Sequence, residues 1–162
     1  VGPARLGDLI CFEVAYDELG RAAVQGVGVK GELEGQGARI LAVQTNNATY
    51  NLTGQPQQQL AMSRLRAVEH GRAVLIASTS GISAIVRPDG TLAGSLGELQ
   101  AGYLVDTVPL RDDLTLADRV GAVPELLAAA AAVALWILAA FGHRRRGDVG
   151  SEEPQPSKEP SA

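Results

Sequence analysis

The stretch GDLICFEVAYDELG at residues 7–20 carries the chain's only cysteine, Cys11, at the end of a short apolar run and two residues ahead of Glu13. A strand that stops at a nucleophile and turns into a helix is a recurrent way to present a reactive side chain. The turn exposes the nucleophile, and backbone N–H groups near the helix start stabilise an oxyanion. The positive end of such a helix also favours a thiolate. The same pattern fits a structural role, because free cysteine is among the most buried residue types and behaves as a small apolar side chain. Glu13, beside a helix start, likewise fits dipole stabilisation or a structural ion pair. On pattern alone both readings stand. His70 and His143 are the only histidines and have no ligand partner at metal spacing, and a single Cys allows neither an internal disulfide nor a Cys-based metal site. No metal and no cofactor is expected. A formal net charge of −4 supplies no basic field, which argues against nucleic acid as a partner.

The elements that must position Cys11 are legible from breakers and periodicity. Asp8–Phe12 reads as a short buried strand ending at the cysteine. Tyr16–Gln25 reads as a helix with Leu19, Ala22 and Ala23 on one side. GVGVKGELEGQG (26–37) is a Gly-rich, charged loop. Ala38–Gln44 is a buried strand, and TNNATYNLTGQP (45–56) is a long polar loop of the kind that lines sites. Its NAT and NLT triplets match glycosylation acceptors but are read as marks of a polar loop. The spacing predicts a helix over Gln57–His70, with Ala61, Leu65 and Val68 on its apolar face and Gly71-Arg72 closing it. AVLIAS (73–78) and SAIVRP (83–88) predict two strands around Thr79-Ser80-Gly81, RPDG predicts a tight turn, and GYLVDTVPL (102–110) predicts a last strand. Strands alternating with helices, then strands in succession, place the chain in the α/β class.

With 162 residues there is enough chain for one domain core. The chain starts with Val and its first residues read as mid-domain, so a piece of a longer chain is expected. Near the other end, Leu126–Gly142 is an uninterrupted apolar run about 25 Å long as a helix, and Ala122, Val123 and Pro124 bring it to spanning length. A buried core helix would share that composition. A membrane span is favoured because His143-Arg144-Arg145-Arg146 follows at once, a cationic stop expected on the cytoplasmic side. The remaining tail, rich in Pro, Ser and charge, has a disordered composition.

GDLICFEVAYDEL, followed by QTNNATYNLTGQPQQQLAMSRLRAVEHGRAVLIASTSGISAIVRPDGTL, resembles the nitrilase (carbon–nitrogen hydrolase) superfamily. Within it the match is to the periplasmic domain of the apolipoprotein N-acyltransferases, over roughly residues 5–142. The resemblance implies a nitrilase-like α-β-β-α sandwich followed by one transmembrane helix. Residues 1–110 would be the C-terminal part of the catalytic domain, 111–122 a connector, 123–142 the transmembrane helix and 143–162 a disordered cytoplasmic tail. It implies a Glu-Lys-Cys triad in the membrane of a bacterial cell, multi-pass in the full-length protein, with the catalytic domain on the outer face. Cys11 would attack a phospholipid acyl ester to form a thioester, which the N-terminal amine of a diacylglyceryl-cysteine apolipoprotein would resolve.

On this resemblance the backbone N–H of Phe12 donates to the oxyanion and Glu13 is a supporting acid. Asn46 and Asn47 line the lipid cleft, and Gly81 supplies a turn beside the site. Arg66 and Glu69 read as structural ion pairs. The triad's Glu and Lys lie upstream of the cysteine in the family, and Lys30, downstream in the Gly-rich loop, cannot stand in, so the fragment alone is expected to be inactive. Phe12 occupies a position where many relatives have tyrosine, and the 26–37 stretch looks longer than usual. An aromatic content of 4% leaves aliphatic residues to line an acyl cleft. Two other functions share these features: a membrane-tethered amidase or nitrilase-type hydrolase, and a non-catalytic scaffold for another envelope enzyme.

Overall fold

The computed structural model describes residues 4–28 and 35–147, with side chains up to residue 140. Lys30 and most of the Gly-rich loop therefore lie outside the described residues, as do the tail and the side chains of the 143–146 run. The chain falls into two compact units, 1–121 and 122–162.

In the first unit five strands form one sheet: β1 (Leu6–Ile10), β2 (Ile40–Thr45), β3 (Val74–Ser78), β4 (Ser83–Val86) and β5 (Leu92–Leu96), paired in that order. The first three run parallel, with Leu9 opposite Val43 and Val43 opposite Ile76, and the β3–β4 and β4–β5 pairings are antiparallel. Helices α1 (Asp17–Gln25) and α2 (Gln55–His70) are the crossovers. Right-handed crossovers between successive neighbouring strands place both helices on one face of the sheet. Between helices and sheet lies the core of Leu9, Val24, Leu41, Val43, Val74 and Val86, each worth about 1.5–3 kcal/mol of burial. The α/β class is borne out.

Three expectations need correction. The first strand ends at Ile10, before the cysteine, so Phe12 lies in a 3-10 turn (Cys11–Ala15) and not in the sheet. The last strand is Leu92–Leu96, a segment whose Ala, Gly and Ser give little β-propensity. The 102–110 segment carries a period-2 pattern but joins no ladder. It lies over β5, with Leu104 packed 3.3 Å from where a Cβ on Gly94 would sit, while Tyr103 and Val105 face solvent. Finally, α2 is inverted relative to its predicted face. Ala61, Leu65 and Val68 point outward, and the helix buries Gln59, Ser63, Arg66, Ala67 and His70. The Arg87–Gly90 turn is as expected, closed by the Gly90 N–H donating to Arg87 O at 2.8 Å, with Gly90 at a φ of 80°.

Among the described residues of the first unit, no helix packs on the opposite face of the sheet. Leu6 and Ile10 of β1 are 57% and 61% exposed there, beside Gln44. Further along, the 102–108 segment roofs β3 and β4 over a cavity of about 430 Å³ lined by Leu75, Ala77, Ile85, Leu96 and Leu104.

In the second unit, α4 (Val123–Gly147) includes an 18-residue stretch, Val123–Ala140, with mean hydropathy 2.0 and none of it buried. By length and composition it can cross a membrane. Trp136 and Leu138 are about 70% exposed.

Candidate active site

Cys11 follows β1 directly and takes a φ of 53°, in the left-handed region that a non-glycine residue adopts at a cost of about 1–2 kcal/mol. That conformation turns the chain sharply at the carboxyl end of a parallel strand, where open α/β sheets form their binding crevices. The expected sharp turn is therefore present, but the expected helix start is not. Cys11–Ala15 is a single 3-10 stretch, Tyr16 is extended, and α1 begins only at Asp17. The dipole of α1 is therefore not aimed at Cys11, because it acts only within a helix's first turn.

Three contacts hold the turn. The Glu13 carboxylate accepts the N–H of Ile10 at 2.7 Å, supplying an edge-strand amide with a partner. The buried Arg66 guanidinium donates through Nε to Val14 O at 2.9 Å and pairs with Asp17 and Glu69, so the expected ion pairs are present. Gln59 Nε2 donates to Cys11 O at 2.9 Å. Phe12 is half-exposed, its ring edge-on to Tyr16 at 6.0 Å. Its N–H falls at the start of the 3-10 stretch, where a helix leaves donors without internal partners.

Around the thiol is a compact, charge-free cluster. Thr45, at the end of β2, places Oγ1 3.4 Å from Cys11 Sγ and 3.1 Å from Gln59 Nε2. Asn47 donates through Nδ2 to Gln59 Oε1 at 2.7 Å, and Ser78 Oγ meets Asn47 Oδ1 at 3.0 Å. Thr45, Asn47 and Gln59 are all buried. Gly81 donates its N–H to Ser78 Oγ at 2.8 Å, and a Cβ there would collide with Asn47 Oδ1. A side chain at 81 would therefore have to displace Asn47 and Ser78.

The structure therefore brings together Cys11, Asn47 and Gly81. It places Asn46 on the exposed side, with Oδ1 accepting the Ala48 N–H at 3.0 Å and the Ser80 hydroxyl at 3.5 Å. Sequence reasoning missed Thr45, Gln59 and Ser78. The available signal was a polar stripe at helical spacing, Gln59, Ser63, Arg66 and His70, which marks the buried face of α2 better than its apolar residues do.

Below the site, two more buried groups fix the frame. Arg72 donates to the carbonyls of Ala38, His70 and Asp113, and burial holds its guanidinium below the ordinary arginine range, against the opposing pull of Asp118 and Asp112. His70 Nδ1 lies 2.6 Å from Asp118 Oδ1, tying the end of α2 to α3 (Leu116–Val120).

The family model for carbon–nitrogen hydrolases matches residues 1–112. The chain belongs to that family. It is 36% identical over 140 residues, 86% of its length, to the apolipoprotein N-acyltransferase of Mycolicibacterium smegmatis. It is 35% identical over 146 residues, 90% of its length, to the protein of that name from Ralstonia nicotianae. These matches cover 22% and 26% of the two relatives, so the chain spans about a quarter of their length. Among solved structures it is similar to an amidase from Nesterenkonia sp., with 29% identity, a TM-score of 0.44, and coverage of 60% of this chain and 37% of that one. The resemblance to the nitrilase superfamily, and within it to the apolipoprotein N-acyltransferases, is borne out.

Proposed function

We propose that this chain carries the nucleophile of an enzyme that moves a fatty acyl chain from a phospholipid to the N-terminal amine of a diacylglyceryl-cysteine lipoprotein. The observation that carries this is Cys11 itself, held at a left-handed turn on the carboxyl end of a parallel strand with a hydroxyl on its sulfur. The names of the curated relatives support the substrate class.

In the first half-reaction the Cys11 thiol gives its proton to the upstream glutamate that the family resemblance implies, and the resulting thiolate attacks the acyl ester carbonyl. The tetrahedral oxyanion takes the Phe12 N–H, with the implied upstream lysine as its cation. Collapse breaks the ester C–O bond and releases the lysophospholipid alcohol, which receives the proton. In the second half-reaction the α-amine attacks the thioester, the amide forms, the C–S bond breaks, and the amine's surplus proton leaves through the same base. Glu13 supports this chemistry by fixing the turn through Ile10. Asn47 and Gly81 act through the cluster behind the sulfur, and Asn46, exposed at the strand ends, is the substrate-facing member of the set.

The same reading accounts for the open sheet face. Apolar Leu6 and Ile10 need a covering layer, and in the longer polypeptide a second sheet supplies it, making residues 1–110 the C-terminal part of an α-β-β-α sandwich. Residues 111–122 connect this part to a span over 123–142, with 143–162 on the cytoplasmic side and the catalytic domain on the outer face. Both substrates are anchored in that bilayer, so a tethered site meets them at high effective concentration.

The test uses the full-length protein in vesicles with a phospholipid labelled in its acyl chain and a diacylglyceryl-cysteine peptide bearing a free α-amine. Label on the peptide as an amide is the expected result. Labelled free fatty acid in its place would make the protein a tethered hydrolase, and no turnover at all would favour the scaffold reading.

A further inference from the structure

The hydrogen bonds behind Cys11 have a polarity that can be worked out from both ends. At one end, Cys11 O is a carbonyl and only accepts, so Gln59 must face it with Nε2, at 2.9 Å. Gln59 Oε1 is thereby turned toward Asn47, which must answer with Nδ2, at 2.7 Å. Asn47 Oδ1 is left to accept from the Ser78 hydroxyl at 3.0 Å. At the other end, the Gly81 N–H only donates, and it reaches the Ser78 oxygen at 2.8 Å, which leaves the Ser78 proton for Asn47. The two ends agree without any free choice in between.

Thr45 sits where this chain branches. The second hydrogen on Gln59 Nε2 reaches Thr45 Oγ1 at 3.1 Å, so the hydroxyl accepts there and must donate elsewhere. Its three acceptors are Cys11 Sγ at 3.4 Å, Asn47 Oδ1 at 3.5 Å and Gln59 Oε1 at 3.3 Å. Each of the two amide oxygens already receives a hydrogen from another group. The sulfur, once ionised, is the only charged acceptor among them, and hydrogen bonds to an ionised partner are roughly twice as strong as neutral ones. With Thr45 and Gln59 both buried, little water competes.

We infer that Thr45 is a positioning residue whose hydroxyl donates to the Cys11 thiolate, and that Gln59 holds it in the donating orientation while fixing the Cys11 carbonyl. The inference rests on Cys11 being the nucleophile. The hydroxyl keeps its proton throughout: it stabilises the thiolate before attack and again when the thioester C–S bond breaks and the sulfur leaves. Gly81, Ser78 and Asn47 transmit the geometry from the turn after β3, so that this turn and the thiol are set together.

The experiment measures the rate of Cys11 alkylation by iodoacetamide against pH, read by mass spectrometry of the Cys11 peptide, in the full-length protein in membranes. Removing the donor in Thr45→Val is expected to slow alkylation at neutral pH by up to about tenfold. Thr45→Ser restores the wild-type profile, which a purely space-filling role for the threonine would not produce. Gln59→Leu shifts the profile in the same direction as Thr45→Val and carries the test if that variant fails to fold. Coincident profiles for wild type, Thr45→Val and Gln59→Leu would overturn the inference. A parallel sample given labelled phospholipid separates the two levels. Hydroxylamine-sensitive label on wild-type Cys11 with coincident profiles sinks only the role of Thr45, whereas no label on wild-type Cys11 sinks the nucleophile.

Discussion

The buried face of α2 carries two polar clusters one after the other, and they are built on opposite principles. At the first, Gln59 joins neutral groups whose polarities are fixed by backbone atoms at both ends, leaving one hydroxyl proton directed at a sulfur. At the second, Arg66 spends its donors on Val14 O, Asp17 and Glu69, and His70 meets Asp118. The charged cluster fastens the chain that follows Cys11. The neutral one stays open toward the thiol. A guanidinium is suited to anchoring because it is permanently charged and presents a rigid fork of donors. A hydroxyl suits the thiol, and an amide suits the carbonyl beside it, because neither brings a charge of its own.

This contrast predicts different consequences for breaking each cluster. Arg66→Ala strips Val14 O of its donor and leaves two carboxylates without their cation, so it should cost about 3 kcal/mol of stability and abolish activity with it. The check is thermal unfolding of the full-length protein alongside acyl transfer, with the two expected to fall together. Gly81→Ala should separate them. Its methyl displaces Asn47 and Ser78, which should lower acyl transfer about tenfold through the neutral cluster while costing only about 1 kcal/mol of stability. A fall in acyl transfer no larger than the unfolded fraction accounts for would erase the distinction between the clusters. The smallest effect belongs to the outer face of the same helix. Leu65 is 58% exposed, and Leu65→Ala should stay within about 0.5 kcal/mol of wild type. A loss of 2 kcal/mol or more there would show that another part of the longer polypeptide covers that face.

Much of the frame was legible in the sequence because breakers and continuous apolar runs act locally. The Gly-rich loop, the Gly71-Arg72 stop and the RPDG turn bracket their elements within a residue or two. The reading failed where tertiary contacts decide. The outward stripe Ala61, Leu65 and Val68 looks like a core face until Gln59 and Arg66 are seen to reach the backbone around Cys11. The strand Leu92–Leu96 is weak in propensity and exists because β4 pairs with it, whereas 102–110 alternates well but joins no ladder among the described residues. At the site, Cys11 stood out as the only one of its kind. Thr45 and Gln59 did not, because a threonine ending a strand and a glutamine within a run of three carry no signal before the fold sets them 3.4 Å from the sulfur and 2.9 Å from the Cys11 carbonyl.

The central claim is that Cys11 carries the acyl chain between donor and acceptor. The most direct measurement is the mass of the Cys11-containing peptide from full-length protein incubated with phospholipid in the absence of an acceptor amine. The account predicts an acyl adduct on that peptide, removed by neutral hydroxylamine, absent in Cys11→Ser and discharged when a diacylglyceryl-cysteine peptide is added. Acyl transfer that persists in Cys11→Ser, or an adduct on some other residue, would contradict it.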